Sequence, residues 1–330
     1  MMLSTGVLRR VMRGVGPTGA HASVYARRAE DGARTHYRHA STGLGKPRVL
    51  VIDGYAPAGR EDLVRHGASE AGILYKKMVE KVSPTGCDID IVYPADPGFE
   101  APSNLGEYDG ICWTGSSLTI FHDDPKVHAQ ISLAKRITDA KVPSFGSCWS
   151  VQMAAVANGG IVAKNPKGRA MGIGRKVQLT DVGRAHPMFE GKSTIFDTFC
   201  SHEDEVTHEP PTGLVLATNK FARVQAMAVT VNGAEFWAVQ YHPEYDLKEL
   251  ARLTYARIEK LTKMGFFTNR ESAEQYVKDI EALHEDPSRK DIAWKYGIDM
   301  DVMSEDVRLV EVKNWVKYQV LPFRRNRLGL

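Results

Sequence analysis

Cysteine is scarce. The chain has four in 330 residues, Cys87, Cys112, Cys148 and Cys200. No two form a CxxC pair and none sits in a cysteine–histidine cluster, which excludes a disulfide framework and a zinc ribbon and suits a reducing compartment. No apolar run approaches 18 residues, so no transmembrane helix is expected. No GxxxxGK[ST] loop occurs, and no internal repeat or low-complexity tract is present. That removes the P-loop nucleotide-binding classes and the solenoids. With 43% hydrophobic and 25% charged residues at 36.6 kDa, the composition is that of a globular protein of one large or two small domains.

Acidic residues are missing from the first 29 positions. Up to Lys46 there are seven Arg and one Lys against Glu30 and Asp31, a balance of +6; the rest of the chain therefore sums to −3 within a net charge of +3. An acidic body gives no electrostatic case for nucleic-acid binding. In the leader, Leu3, Val7, Leu8, Val11, Met12 and Val15 fall near helical spacing with Arg9, Arg10 and Arg13 between them. An Arg-rich, acid-poor amphipathic start matches a mitochondrial transit peptide, with the matrix as destination. A disordered basic tail has the same composition. The folded part is expected to begin near Lys46.

From there strands and helices alternate. Strands are expected at 48–52, 88–93, 108–113 and 142–145, with helices over 60–82 and 125–140. Leu63, Ile73, Leu74, Met78 and Val82 are the inward positions of the first helix. This order implies a flavodoxin-like α/β fold, a mostly parallel sheet with helices on both faces. Ligands bind at the carboxyl ends of such strands. Segments 172–180, 194–199, 213–218, 223–231 and 234–240 read as further strands that extend or flank the sheet. Residues 247–264, 271–284, 289–296 and 305–319 read as helices. The organisation is thus a basic extension (1–46), an α/β domain (47–250) and a helical C-terminal extension (251–330).

Three separated segments carry chemistry. Gly146-Ser147-Cys148-Trp149-Ser150-Val151-Gln152 follows a strand and opens a helix. Such an elbow lifts its central nucleophile above the sheet edge and sets the thiol at a helix N-terminus. A buried structural cysteine is the commoner role for a lone Cys. Tyr241-His242-Pro243-Glu244 ends a later strand, where a carboxylate two residues on can orient the imidazole. A turn histidine beside an exposed glutamate fits the same residues. Between them stands Cys200-Ser201-His202-Glu203-Asp204-Glu205-Val206, in which the charges from Glu203 to Glu209 read as a solvated loop. The five tryptophans, 113, 149, 237, 294 and 315, read as packing residues.

Gly-x-Cys-x-x-x-Gln after one strand and His-Pro-Glu 94 residues after the cysteine, with Ser-His-x-Asp-x-Val between, resembles the class I glutamine amidotransferase domain of the GMP-synthetase type. The resemblance covers about residues 47–250. The tail around Asp291-Ile-Ala-Trp-Lys-Tyr-Gly-Ile298 and Asn314-Trp315 is similar to that of stand-alone bacterial members. It implies that Cys148 attacks the side-chain amide of glutamine, that His242 is its acid–base partner and that Glu244 orients His242. It implies an oxyanion hole from the Trp149 backbone and from Gly115 or Ser116, where Gly-Ser-Ser replaces the usual Gly-Gly-Pro. Gln152, Ser201 and His202 would hold the substrate. No cofactor and no metal are called for. The expected partners are glutamine or another γ-glutamyl small molecule, and a separate ammonia-accepting synthetase. Two alternatives remain: a γ-glutamyl peptidase-like hydrolase, and a non-enzymatic component of a large mitochondrial complex with basic arms at both ends.

Overall fold

β1 (Arg48–Ile52) shows why the sheet forms. Side chains alternate across a strand. Val49 and Val51 enter one buried cluster, while Leu50 and Ile52 enter the cluster on the opposite face. A strand apolar on both faces needs a layer of helices on each. The structure, a computed structural model, describes residues 45–330; the expected targeting segment lies almost wholly outside them.

β1 pairs in parallel with β2 (Asp88–Val92) and β3 (Gly110–Trp113). β3 continues in parallel to β4 (Ser144–Ser147), and β4 to β11 (Ala234–Val239). Beyond β11 the sheet runs antiparallel through β10 (Ala226–Val231), β9 (Gly213–Thr218), β6 (Ala170–Leu179) and β7 (Ile195–His202), giving nine strands in the order 2-1-3-4-11-10-9-6-7. On one face lie α3 (Pro125–Asp139) and α4 (Trp149–Ala157). On the other lie α2 (Ala71–Val82) and α12 (Val310–Trp315), the latter seating Trp315 against Phe145 of β4.

A short helix α5 (Asp181–Ala185) follows β6. The later helices are α6 (Leu247–Ala256), α7 (Ile258–Lys263), α8 (Arg270–Glu285) and α9 (Lys290–Tyr296), then the short α10 (Met300–Met303) and α11 (Glu305–Arg308), and α13 (Leu321–Arg327) after α12. Leu250, Val277, Ile280 and Ile292 form a third apolar cluster with Phe199 of β7.

The structure corrects several expectations. Residues 60–82 are two helices, α1 (Pro57–Arg65) and α2, because Gly67 takes φ +80° and Ser69 turns to hydrogen-bond Glu249. Ile73 is accordingly exposed, and Tyr75 and Val79 take the inward places. The strand expected at 142–145 starts two residues later, after Pro143, which has no N–H to donate. The acidic stretch after Glu203 is not a loop: Asp204–His208 is β8, paired antiparallel with an unexpected strand β5 (Ile161–Lys164) and anchored by buried Val206. The helix expected at 247–264 breaks at Arg257. The one at 305–319 is a series of short turns with a π-helical stretch at Val316–Val320. Trp294 is 87% exposed on α9; the other four tryptophans are buried.

Candidate active site

Four of the five parallel strands, β1, β3, β4 and β11, each deliver a piece of the site at their carboxyl ends. Register does the positioning: Ser147 pairs with Val239, and the Cys148 N–H donates to Val239 O at 2.7 Å. The ends of β4 and β11 are thereby fixed side by side, and His242 follows three residues on. Its own N–H donates to Phe199 O at 2.9 Å, which ties β7 to the same place.

Cys148 stands between β4 and α4 with φ 52° and ψ −97°. A non-glycine residue there costs on the order of 1–3 kcal/mol and persists only where the surroundings force it. They do so through close packing. A Cβ on Gly146 would lie 2.3 Å from Ser150 Oγ and 2.5 Å from Trp113 O, so the turn closes only over glycine. The structure thus carries the elbow foreseen from the sequence.

His242 and Glu244 are both nearly fully buried, and His242 Nδ1 is 2.7 Å from Glu244 Oε1. The ring also stacks on Tyr245, centroids 4.0 Å apart and planes within 3°. Its Nε2 has no hydrogen-bond partner among the described residues. Burial opposes charging of this imidazole, but the Glu244 carboxylate and the Cys148 sulfur outweigh it and raise its pKa to about 10. Glu244 Oε1 also accepts from Ser147 Oγ at 2.9 Å, and Ser147 Oγ accepts from Tyr75 Oη at 2.6 Å. This relay from α2 was not foreseen. Ser147 stood in the elbow motif, but its contact with Glu244 arises only from the pairing of β4 with β11.

A cavity of about 410 Å³ opens above these groups. Cys148, Trp149, Gln152, Ser201, His202, Ser116 and His242 all line it, so the structure brings the sequence-derived residues together. Gly115 sits beneath: a Cβ there would lie 3.3 Å from His242 Cε1 and 3.8 Å from Cys148 Cβ. Glu244 supports His242 from behind. The thiol of Cys148 points to Ser201 O at 3.7 Å. Thr114 Oγ1 donates to Gly115 O at 2.7 Å and accepts from Gly54 N at 3.0 Å, which pins the Gly115–Ser116 peptide plane. In a trans peptide the N–H lies opposite the carbonyl, so holding Gly115 O to Thr114 directs the Ser116 N–H the other way. Gln152 is buried but its side-chain amide bonds no described residue. Burial lowers the pKa of His202 to about 4, leaving a neutral ring whose Nδ1 lies 3.0 Å from Asp204 O.

Sequence reasoning missed one part of the cavity. Tyr55, Lys164, Arg169, Arg257 and Lys260 line it, the last two from the C-terminal helices. Nothing in the local sequence marks them, since their role depends on where α6 and α7 dock.

The parallel sheet, the strained elbow cysteine and the histidine–glutamate pair define a protein of the cysteine amidohydrolase kind. A family model described as glutamine amidotransferase class-I matches residues 72–257, and the chain belongs to that family. Among its relatives, a gamma-glutamyl-L-1-hydroxyisopropylamide hydrolase of a Pseudomonas species is 29% identical over 87% of this chain and 97% of its own length. One of the subunits of a glutamine-hydrolysing GMP synthase from Saccharolobus solfataricus is 32% identical over 51% of this chain and 81% of its own length. The fold matches the crystal structure of a glutamine amidotransferase of Thermotoga maritima with a TM-score of 0.57 at 17% identity, covering 83% of this chain and 98% of that one.

Proposed function

We propose that the chain hydrolyses γ-glutamyl amides, glutamine or a larger amide, through a thioester on Cys148. The Cys148 thiol gives its proton to His242 as the sulfur attacks the carbonyl carbon and forms the C–S bond, placing charge on the carbonyl oxygen. The N–H groups of Trp149 and Ser116 are the candidate donors to that oxyanion, with Gly115 giving the close approach. The proton held by His242 passes to the leaving nitrogen as the C–N bond breaks, so the amine departs neutral. Neutral His242 then takes a proton from water; the water oxygen attacks, the C–S bond breaks, and glutamate leaves. Glu244 keeps the imidazole in the useful tautomer.

One observation carries this reading: a buried His242–Glu244 pair whose free Nε2 shares a cavity with a strained cysteine. The near full-length match to an amide hydrolase favours hydrolysis over service to a synthetase, whose relative covers a smaller share of this chain. Retention of the strained elbow also weighs against a purely structural role. The test is glutamate release from L-glutamine and γ-glutamyl amides by purified protein. Cys148→Ala and His242→Ala are expected to lose at least about 10³-fold in kcat/KM. Retained turnover in Cys148→Ala contradicts the reading. The basic leader further supports a mitochondrial location. Residues 1–46 fused to a fluorescent reporter are expected to direct it to mitochondria, and a diffuse reporter contradicts this.

A further inference from the structure

One buried polar side chain has no part in the chemistry described so far. Gln130 lies on the same inward face of α3 as Val127, Leu133, Ala134 and Ile137 and is fully buried. An amide carried into an apolar layer costs free energy unless it is hydrogen-bonded there. Both of its ends are. Gln130 Oε1 accepts from Trp149 Nε1 at 2.9 Å, and Gln130 Nε2 donates to Gly54 O at 3.2 Å. An indole can only donate and a carbonyl can only accept, so the amide has one possible orientation.

Gly54 lies two residues past β1, and its backbone grips the Gly115 loop at two points. Its N–H donates to Thr114 Oγ1 at 3.0 Å, and its carbonyl accepts from Ser116 Oγ at 2.8 Å as well as from Gln130. The Ser116 hydroxyl in turn accepts from the Leu118 N–H at 3.1 Å. The peptide between Gly115 and Ser116 is thus flanked on both sides by bonds to one residue. At the far end of the link, Trp149 opens α4, so its N–H has no acceptor within its own helix. The sheet order is β1-β3-β4, so the ends of β1 and β4 are not neighbours. Gln130 bridges them across the end of β3. The joint is closely packed: a Cβ on Gly54 would lie 3.1 Å from Gly115 O, 3.1 Å from Trp149 Cδ1 and 3.2 Å from Gln130 Oε1.

We propose that Gln130 is a positioning residue for the oxyanion hole. Through the Trp149 indole on one side and the Gly54 carbonyl on the other, it fixes the spacing between the Trp149 and Ser116 N–H groups. Preorganised donors stabilise the charged intermediate only when they already stand where its oxygen will be. The inference rests on the proposed amide hydrolysis at Cys148. Gln130 bonds neither Cys148 nor His242, so its effect falls on the tetrahedral intermediate and not on the thiol.

The experiment compares wild type with Gln130→Met, which keeps the side chain's length and removes both bonds. Three readouts are taken on the purified full-length protein. Turnover of γ-glutamyl p-nitroanilide is expected to fall about 30-fold in kcat with KM within about twofold. The Ki of 5-oxopentanoate, an aldehyde that the thiol converts to a tetrahedral hemithioacetal, is expected to rise by the same factor. The rate of Cys148 alkylation by iodoacetamide, which needs the thiol but no oxyanion, is expected to stay within about twofold. Trp149→Phe keeps the backbone donor and deletes the indole N–H; the double variant is expected to be no worse than Gln130→Met alone. Trp149→Phe and Gly54→Ala decide the matter if Gln130→Met does not fold, and both are expected to show the same pattern. An unchanged Ki in the folded variants overturns the inference while the proposed hydrolysis stands. An equal loss in alkylation rate overturns it too, since that result marks a general packing role. Multiplied losses in the double variant show that the indole and the amide act apart, which also overturns it. Wild-type protein that neither turns over the anilide nor binds the aldehyde removes the hydrolysis reading, and this inference with it.

Discussion

At the scale of single residues, the account turns on how Glu244 and His242 hold each other. Glu244 is the leading cause that raises the imidazole pKa, against burial, to about 10. The imidazolium needed by the leaving amine should therefore persist to high pH and disappear above about 10. In Glu244→Gln the alkaline limb of kcat is expected to move toward neutrality, measured by a pH–rate profile; an unmoved limb would mean that the carboxylate does not govern the ring. Ser147→Ala removes a donor to that carboxylate, and kcat is expected to fall about 10-fold with KM little changed. Gly146 tests the elbow. The Cβ of Gly146→Ala would meet Ser150 Oγ and Trp113 O well inside contact distance, and a loss of about 3 kcal/mol in urea unfolding is expected. Cys148, His242, Glu244 and Gln152 were legible in the sequence because each belongs to a short motif after a strand. Tyr75, Arg169 and Arg257 were not, because only tertiary placement gives them a role.

At the scale of elements, the parallel strands were easy to read and the helical tail was not. β1 and β3 carry uninterrupted apolar runs that only a doubly covered strand requires. β8 reads as a solvated loop because four of its five residues are charged or polar; its one buried anchor, Val206, gives too little periodicity to mark it. The tail breaks into short turns because it fits a surface already made by the sheet. α12 lays Trp315 over Gly110, where a Cβ would come within 2.7 Å of the indole. Close by, Glu311 is fully buried, bonding Tyr241 Oη at 2.5 Å and Lys192 Nζ at 3.1 Å. Tyr241 adjoins His242, so this buried pair braces the end of β11. Lys192→Met leaves the Glu311 carboxylate without its countercharge, and a loss of about 3–5 kcal/mol is expected in the same unfolding assay. A loss below about 1 kcal/mol would show the tail to be loosely attached.

At the scale of the whole molecule, the buried histidines shape stability against pH. Burial lowers the pKa of His186 to about 3 and of His202 to about 4, below the ordinary value of 6.5. Between about pH 4 and 6.5 the unfolded chain binds protons that the folded one does not, so stability falls as pH drops. Each histidine contributes a slope of about 1.4 kcal/mol per pH unit there. His242 has the opposite sign: its raised pKa stabilises the fold fully below 6.5, and that contribution is lost as pH climbs toward 10. Stability is thus expected to peak near pH 6.5, and His202→Gln to flatten the acid side in urea titrations. The same cavity gathers β4, β7, β11 and the α6–α7 break around one sulfur. The most direct test of that arrangement is reaction of the protein with a diazo-ketone analogue of glutamine, followed by peptide mass spectrometry. One adduct is expected, on Cys148, prevented by excess γ-glutamyl substrate and absent in His242→Ala. No adduct under conditions that modify a known glutaminase, or an adduct on Cys87, Cys112 or Cys200 instead, would contradict the account.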